Sequence, residues 1–351
     1  MSVATEDRPF HIAAPATSKT AQPTARDKGS RGLRILLRAA AVSVGAIPVV
    51  AALGATYEAI SGSQDLSFYP PAGRHVDVGG YRIHLDCRGE GSPTVVMDAG
   101  LGGSSLDWNL VRAELTTTTQ VCTYDRAGMG WSDESPLPRT PGHIADELHI
   151  LLLNAGIPGP FVLVGHSLAG KNIRMFAATH PDDVAGMVLV DARSELVDSL
   201  TPKAEADAFS TALGMQGGLY GVARHLGVAR MFGASLASAP LLSPAEAEEM
   251  VLLQTQASAI DETTSEGLAR AADDAALANT SLGSRPLVVI AAAASMAEIP
   301  NWPAAQHKMA ALSTRGRLVV AEHSGHAVQL EDPAIVSKAI DDVVALVRAD
   351  D

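Results

Sequence analysis

Ser167 stands at the junction between an apolar, strand-like run and a segment with helical character. The run is Val162-Leu163-Val164-Gly165-His166, and the helix-like segment extends from Lys171 to Thr179. A serine at a sharp strand-to-helix turn projects its hydroxyl out of the sheet, beside the first unpaired N–H groups of the helix. Small residues on both sides of the serine allow the turn to close. Ser167 is therefore a candidate nucleophile for acyl transfer, the alternative being a serine that only caps the helix.

A serine hydroxyl is a weak nucleophile and needs a neighbouring base that a third group orients. The chain has 11 histidines, so position along the chain must select among them. His326 follows the last strand-like run, and Gly325 before it gives the loop freedom to bring the imidazole over the sheet. His323 lies nearer the strand and is the weaker candidate. We predict His326 as the base.

The acid that orients the base has three candidates. Asp191 follows the strand-like run Met187-Val188-Leu189-Val190 directly, and a carboxylate at that strand end can fix the tautomer of an imidazole. Its alternative role is to cap the next helix. No aspartate follows the next predicted strand, where Glu298 is the nearest carboxylate, and Glu195 is a further alternative. We predict Asp191 as the acid.

An acyl-transfer site also needs backbone N–H groups that bind the oxyanion of the tetrahedral intermediate. Leu168, the residue after the nucleophile, supplies one. The glycine-rich loop Asp98-Ala99-Gly100-Leu101-Gly102-Gly103-Ser104 is expected to supply the other, from Leu101. The same glycines do not fit a phosphate-binding loop, because no Lys-Ser/Thr pair follows them, nor do they match the spacing of a dinucleotide fingerprint.

Strand-like and helix-like segments alternate over most of the chain, which predicts an α/β fold: a mostly parallel sheet with helices on both faces. We expect eight strands, at 74–79, 81–87, 94–98, 120–124, 161–165, 186–190, 286–291 and 317–321. Helices are expected near 106–116, 141–155, 168–180, 302–313 and 333–348.

The alternation stops between the sixth and seventh predicted strands. Residues 192–284 are rich in Ala, Glu, Met and Leu with helical periodicity, and we interpret them as a helical cap inserted into a core of residues 70–191 and 285–351. A cap there lies beyond the carboxyl ends of the strands, where open α/β sheets bind ligands.

The N-terminal region predicts a tail followed by a membrane anchor or signal segment at 33–58. Residues 1–32 are polar and proline-rich, which is typical of disorder. Residues 39–57 contain no charge and follow three arginines, which predicts a bilayer span with the N-terminus in the cytoplasm and the remaining chain extracytoplasmic. A cleaved signal, giving a secreted protein, and a buried soluble helix are the alternatives.

Composition limits the partners. The formal net charge of −13 argues against nucleic acid. The two cysteines, Cys87 and Cys122, form no C-x-x-C pair, so a zinc site built on them is not expected. They are expected to form either a disulfide or two buried thiols.

The chain resembles the α/β-hydrolases, specifically serine esterases and lipases, over roughly Arg74 to Arg348. Three segments carry the resemblance: Gly165-His166-Ser167-Leu168-Ala169-Gly170, Tyr124-Asp125-Arg126-Ala127-Gly128-Met129-Gly130-Trp131-Ser132-Asp133 and Ser324-Gly325-His326. Their order, serine before acid before histidine, matches the family. The chain departs from the family pattern in two places. Ala99 stands where histidine is common, and the acid expected after the seventh strand is missing, which supports Asp191 because some members carry the acid after the sixth strand.

The resemblance implies an eight-stranded sheet, a helical cap, a structural turn at Asp125–Asp133 and no metal or organic cofactor. It also implies hydrolysis of a carboxylic ester through an acyl-enzyme. Amidase, peptidase or lactonase chemistry on the same triad, and a binding protein without catalysis, are the alternatives. Apolar cap residues suggest a hydrophobic small-molecule substrate, although they equally fit the core of the cap itself. Lys171, one helical turn after Ser167, is expected on a solvated helix face.

Overall fold

The computed structural model describes residues 34, 37, 48–61, 64, 67–225 and 242–350. The chain divides into two compact units, Met1–Val50 and Ala51–Asp351, and every strand lies in the second. The predicted tail at 1–32 lies outside the described residues.

The second unit is built on one eight-stranded sheet. Its strands are β1 Arg74–Asp77, β2 Arg82–Arg88, β3 Val95–Asp98, β4 Val121–Tyr124, β5 Phe161–His166, β6 Val184–Val190, β7 Leu287–Ala292 and β8 Gly316–Ala321. Their order is β1-β2-β4-β3-β5-β6-β7-β8. β1 pairs with β2 and β2 with β4 in antiparallel fashion, whereas all other pairs are parallel. The predicted fold class, a mostly parallel eight-stranded sheet, is confirmed.

The central strands are continuous apolar runs because helices cover both faces of the sheet. All six residues of β5 and all six of β7 are buried. Alternate residues of β5 enter different apolar clusters: Leu163 belongs to one, and Val162 and Val164 belong to the other. The sheet therefore separates two cores, and the ends of its strands are held rigidly between them.

The described helices outside the region between β6 and β7 include all five predicted ones, together with two short helices, one after β7 and one after β8, that were not predicted. They are α1 Asn109–Leu115, α2 Pro141–Ala155, α3 Ala169–Thr179, α9 Ala293–Glu298, α10 Trp302–Ala310, α11 Val328–Glu331 and α12 Pro333–Asp350. Local signals set the ends of α2: the Thr140 side chain accepts a hydrogen bond from the His143 N–H, and Gly156 adopts the left-handed conformation after the last turn.

Five helices lie between β6 and β7 among the described residues: α4 Glu195–Leu200, α5 Lys203–His225, α6 Pro244–Gln254, α7 Ala257–Ala269 and α8 Asp274–Leu277. We call them the insert helices. The expectation for Lys171 is wrong: its side chain is fully buried and donates hydrogen bonds to Asp198 of α4 and Asp274 of α8. A buried ammonium requires such carboxylate partners, and the insert helices supply them.

The predicted membrane span at 39–57 is described only from residue 48, where a helix extends to residue 61. Within the described ranges, we find no helix that combines the length and the apolar character needed to cross a bilayer.

Cys87 and Cys122 form a disulfide. The two residues lie opposite each other on the antiparallel strands β2 and β4. The bond therefore joins the antiparallel edge of the sheet to its parallel part.

Replacement of both cysteines, Cys87→Ala with Cys122→Ala, should lower the free energy of unfolding by about 3 to 4 kcal/mol. The bond closes a loop with a sequence separation of 35 residues, which restricts the unfolded chain. Urea unfolding under oxidising conditions measures the difference. Dithiothreitol should destabilise the wild-type protein by a similar amount and leave the double variant unchanged. A wild-type protein insensitive to reductant would contradict a bridged pair.

Candidate active site

The turn between β5 and α3 holds Ser167 in a conformation that few non-glycine residues adopt. Its φ angle is 53°, and its backbone N–H donates to the Val190 carbonyl of β6. The two flanking glycines are required by close approach. A Cβ on Gly165 would lie 2.9 Å from the Ala169 backbone, and one on Gly170 would lie 2.5 Å from the Ala192 Cβ. Strain of this kind persists only where the surroundings fix it, and it is characteristic of functional sites.

The three residues predicted as nucleophile, base and acid come together at the carboxyl ends of the strands. His326 Nε2 lies 2.9 Å from Ser167 Oγ, and His326 Nδ1 lies 2.7 Å from Asp191 Oδ2. The His326 side chain is 47% exposed, whereas that of Asp191 is fully buried. The chain of hydrogen bonds thus runs from an inaccessible carboxylate to a hydroxyl that solvent or substrate can reach.

The Asp191 carboxylate is surrounded by donors. Oδ1 accepts hydrogen bonds from the Ala292 N–H at 3.0 Å and from Trp302 Nε1 at 2.8 Å. Oδ2 accepts from Ser295 Oγ and from His326 Nδ1. Burial raises the pKa of Asp191, but the bonds from His326, Ser295, Trp302 and the Ala292 N–H outweigh it and hold the pKa below its ordinary value. The acid is therefore ionised at neutral pH.

The other candidates for acid and base lie elsewhere. Glu298 is exposed at the end of α9, and Glu195 is buried against Arg174 of α3, whose Nη1 lies 2.6 Å from its Oε2. His323 is exposed on the loop after β8, whereas His326 is the histidine hydrogen bonded to Ser167.

His166 is a functional position that sequence reasoning missed. Its ring is buried, and Nε2 lies 2.8 Å from the carbonyl oxygen of His326. Burial, followed by the nearby His326, lowers the pKa of His166 to about 3. The ring is therefore neutral, donates from Nε2 and holds the loop that carries the base. The only signal in the sequence is its place directly before the nucleophile.

The loop after β3 approaches the nucleophile closely. A Cβ on Gly100 would lie 2.7 Å from His166 Nδ1 and 3.3 Å from the Ser167 Cβ. Within the described part of the chain, the backbone N–H groups of Leu101 and Leu168 make no hydrogen bond. The two predicted oxyanion donors therefore have no protein acceptor among the described residues.

Arg126 fixes the conformation of this loop, a role that the sequence did not predict. Its guanidinium is buried and donates to the carbonyl oxygens of Ala99 and Gly100 at 2.6 and 2.8 Å. It also pairs with Asp98 at the end of β3 and with Glu266 of α7. One cation therefore joins the loop to the insert helices.

Asp125 makes only structural contacts. Its carboxylate accepts from His84 Nδ1 and from the backbone N–H groups of Ser105 and Trp131. A Cβ on Gly130 would lie 2.3 Å from the same carboxylate. The segment is a closed turn with Asp125 at its centre.

Comparison with known proteins decides the family. The model of the "Alpha/beta hydrolase family" matches residues 95–339. The chain belongs to the alpha/beta hydrolase family. The predicted resemblance is confirmed, and membership of this family supports the prediction that the protein is a hydrolase. The match begins at β3 and ends within α12, so it includes the turn that carries Ser167 as well as Asp191 and His326.

Solved structures share the alpha/beta hydrolase fold across most of the second unit. A thermophilic esterase from Thermogutta terrifontis superposes with a TM-score of 0.59 at 23% identity and covers 78% of this chain and 98% of its own. A putative lipase from Acinetobacter baumannii superposes with a TM-score of 0.63 at 19% identity, covering 84% and 97%. At these identities the likeness shows the fold.

Curated relatives match shorter segments. A putative carbamate hydrolase from Klebsiella pneumoniae is 39% identical over 103 residues, which are 29% of this chain and 38% of that protein. The alignment with each of the first curated relatives spans less than half of that relative's length.

Replacement of His166 by glutamine should make stability less sensitive to acid. The unfolded state binds a proton near pH 6.5, whereas the folded state keeps His166 neutral down to about pH 3. The unfolded state therefore binds more protons in this window, so stability falls as pH decreases through it. Between pH 7 and pH 5 the loss from this group is about 2 kcal/mol. Urea unfolding of wild type and His166→Gln at both pH values measures the difference. Equal losses in the two proteins would contradict a buried neutral ring.

Proposed function

We propose that this hydrolase cleaves a carboxylic ester through an acyl-enzyme on Ser167. The observation that carries the proposal is a continuous series of two hydrogen bonds. One joins the Asp191 carboxylate to His326 Nδ1, and the other joins His326 Nε2 to Ser167 Oγ. A serine oriented toward an imidazole, which is itself held by an ionised carboxylate, is the arrangement that activates a hydroxyl for attack on a carbonyl carbon.

The first half of the reaction acylates the serine. His326 Nε2 takes the proton as Ser167 Oγ attacks the ester carbonyl, and Asp191 stabilises the resulting imidazolium. The imidazolium then gives this proton to the leaving alcohol as the tetrahedral intermediate collapses. In the second half, His326 takes a proton from water, the resulting hydroxide attacks the acyl carbon, and Ser167 recovers its proton as the acid is released.

The oxyanion is expected to bind to the N–H groups of Leu101 and Leu168. Leu101 can serve only if the loop after β3 keeps its conformation, and Arg126 holds two carbonyl groups of that loop in place. Pre-oriented donors of this kind account for a large share of catalysis in acyl-transfer enzymes.

An apolar substrate group fits the residues that face this loop. The side chains of Leu213, on α5, and Leu101 both lie close to Gly267 of α7. A Cβ added to this glycine would be 2.4 Å from the Leu213 side chain and 3.5 Å from the Leu101 side chain. Met215 and Leu219 of α5 are each 72% exposed, so they do not serve as the core of the insert helices. Met231 and Phe232, which are also apolar residues of the predicted cap, lie outside the described residues. We propose a small ester with a hydrophobic acyl or alcohol part.

The same series of groups would also cleave an amide or a lactone. The similarity to a putative carbamate hydrolase specifically supports substrates in which a carbon–nitrogen bond is cleaved. A panel of matched esters, amides, carbamates and lactones ranked by kcat/KM separates these substrate classes. A non-catalytic binding protein would turn over none of them.

Replacement of the nucleophile should remove activity without unfolding the protein. Ser167→Ala is expected to lower kcat on short p-nitrophenyl esters by at least about 10⁴-fold, because the acyl-enzyme cannot form. It should also abolish labelling by a fluorophosphonate. Ser337→Ala, at a buried serine of α12, is the matched control and should keep both. Activity of Ser167→Ala close to that of wild type would exclude the proposed nucleophile.

We further propose that residues 39–57 anchor the protein to a membrane, with the hydrolase domain extracytoplasmic. The support is the charge-free sequence together with the exposure of apolar side chains on the described helix at 48–61, where Val49, Val50 and Leu53 are 58, 60 and 66% exposed. Apolar side chains left in water along one segment are typical of a surface that another phase or partner covers.

Charges placed in this segment should release the full-length protein from membranes. Val50→Arg combined with Leu53→Arg is expected to move it to the soluble fraction, because each arginine costs about 2.5 to 3.5 kcal/mol at the centre of a span. Membrane flotation with carbonate extraction measures the partition. Leu153→Arg, at a leucine of α2 that is 68% exposed, is the matched control and should leave it unchanged. A wild-type protein found entirely in the soluble fraction would contradict the anchor.

A further inference from the structure

Two pairs of potential metal ligands face each other at the end of α3 remote from Ser167. Asp146 and His149 are three residues apart on α2, so they lie on one face of that helix. His180 directly follows α3, and Asp183 ends the short 3₁₀ turn before β6. The sequence therefore presents Asp-x-x-His on one element and His-x-x-Asp on its neighbour.

The side chains of the two pairs interleave. His149 Nδ1 lies 3.2 Å from Asp183 Oδ2, and His180 Nε2 lies 3.5 Å from Asp146 Oδ1. The two imidazole rings stack with centroids 3.8 Å apart and an interplanar angle of 3°. Both rings also pack near Phe176, which is fully buried and limits their movement toward the core.

His180 Nε2 is an unsatisfied atom in this arrangement. The atom is shielded from solvent, and because its 3.5 Å contact with Asp146 Oδ1 does not form a hydrogen bond, it has no hydrogen-bond partner among the described residues. A buried imidazole nitrogen without a partner loses the energy of its contact with water, so such atoms in folded proteins generally have a further function. A ligand that accepts the nitrogen lone pair would satisfy it.

The spacing of the ligand atoms fits a small cation. One ligand atom from each of His149, His180 and Asp183 lies within 4.8 Å of the others. Tetrahedral coordination at zinc distances separates ligand atoms by about 3.4 Å, so these three atoms must approach one another by roughly an ångström. Asp146, whose Oδ1 lies 3.5 Å from His180 Nε2 but outside this group of three, must also move to supply the fourth ligand. The two rings must tilt away from parallel for their lone pairs to converge on one ion. All four side chains are partly exposed, which gives an ion a path of entry.

We propose that Asp146, His149, His180 and Asp183 bind one divalent transition-metal ion, Zn²⁺ being the chemical type that fits. Two imidazole nitrogens and two carboxylate oxygens form a closed four-ligand set for zinc, whereas Ca²⁺ and Mg²⁺ prefer oxygen ligands alone. The two aspartates balance the charge of the ion. The site is structural, because α3, of 11 residues and about 16 Å, separates it from Ser167.

Zinc titration of the chelator-treated, full-length protein tests the proposal. Calorimetry should show one tight equivalent, and zinc at 100 times Kd should raise Tm by about 5 °C. His149→Ala and His180→Ala should each weaken binding at least tenfold, and Asp183→Asn, which retains the shape of the side chain, should also weaken it. His143→Ala, at a half-buried histidine on the same helix, is the matched control and should bind zinc as wild type does.

His326→Ala separates this site from the proposed catalytic histidine and should leave the tight equivalent unchanged. The Tm values of the variants without zinc show whether each one folds. The proposal is overturned if wild type shows no zinc-dependent rise in Tm. It is also overturned if folded His149→Ala and His180→Ala bind zinc with wild-type affinity, or if His326→Ala alone removes binding.

Discussion

The buried carboxylate of Asp191 is the constraint on which the arrangement of the site depends. A charge without access to solvent is stable only if donors replace its hydration, and four groups from β7, α9, α10 and the loop after β8 do so. One donor, the Ala292 N–H, belongs to the last residue of β7, and the other three, from Ser295, Trp302 and His326, follow β7 along the chain. The need to satisfy one acid therefore draws the C-terminal elements against the end of β6 and fixes the orientation of the imidazole.

A second set of buried charges joins the core to the insert helices. Arg126 pairs with Glu266, Lys171 with Asp198 and Asp274, and Arg174 with Glu195. Each cation belongs to a core element beside the nucleophile, whereas each carboxylate belongs to an insert helix. Because breaking one partner of a buried pair leaves an uncompensated charge, these contacts hold the insert helices in one position against the core. Arg126 extends the effect to the loop that carries the proposed oxyanion donor Leu101.

The sequence was informative where chemistry and backbone geometry are local. A serine between an apolar run and small residues predicts a tight turn, and Ser167 has the positive φ angle that such a turn requires. The alternation of apolar strands with helices predicted eight strands, all of which are present. Positions after predicted strands indicated His326 and Asp191, and the His326 side chain is hydrogen bonded to those of both Asp191 and Ser167. Each of these inferences uses residues within one element or at its end.

The contacts between distant elements were beyond the sequence. Lys171 was expected in solvent and is buried, because its partners lie 27 and 103 residues away and no local pattern indicates them. The roles of His166, Trp302 and Arg126 depend in the same way on loops that only the folded sheet brings together. The sequence by itself determined the order of the strands along the chain and the residue types at their ends. The tertiary structure alone decided which buried charges pair, because the free energy of a buried charge depends on donors that folding brings close.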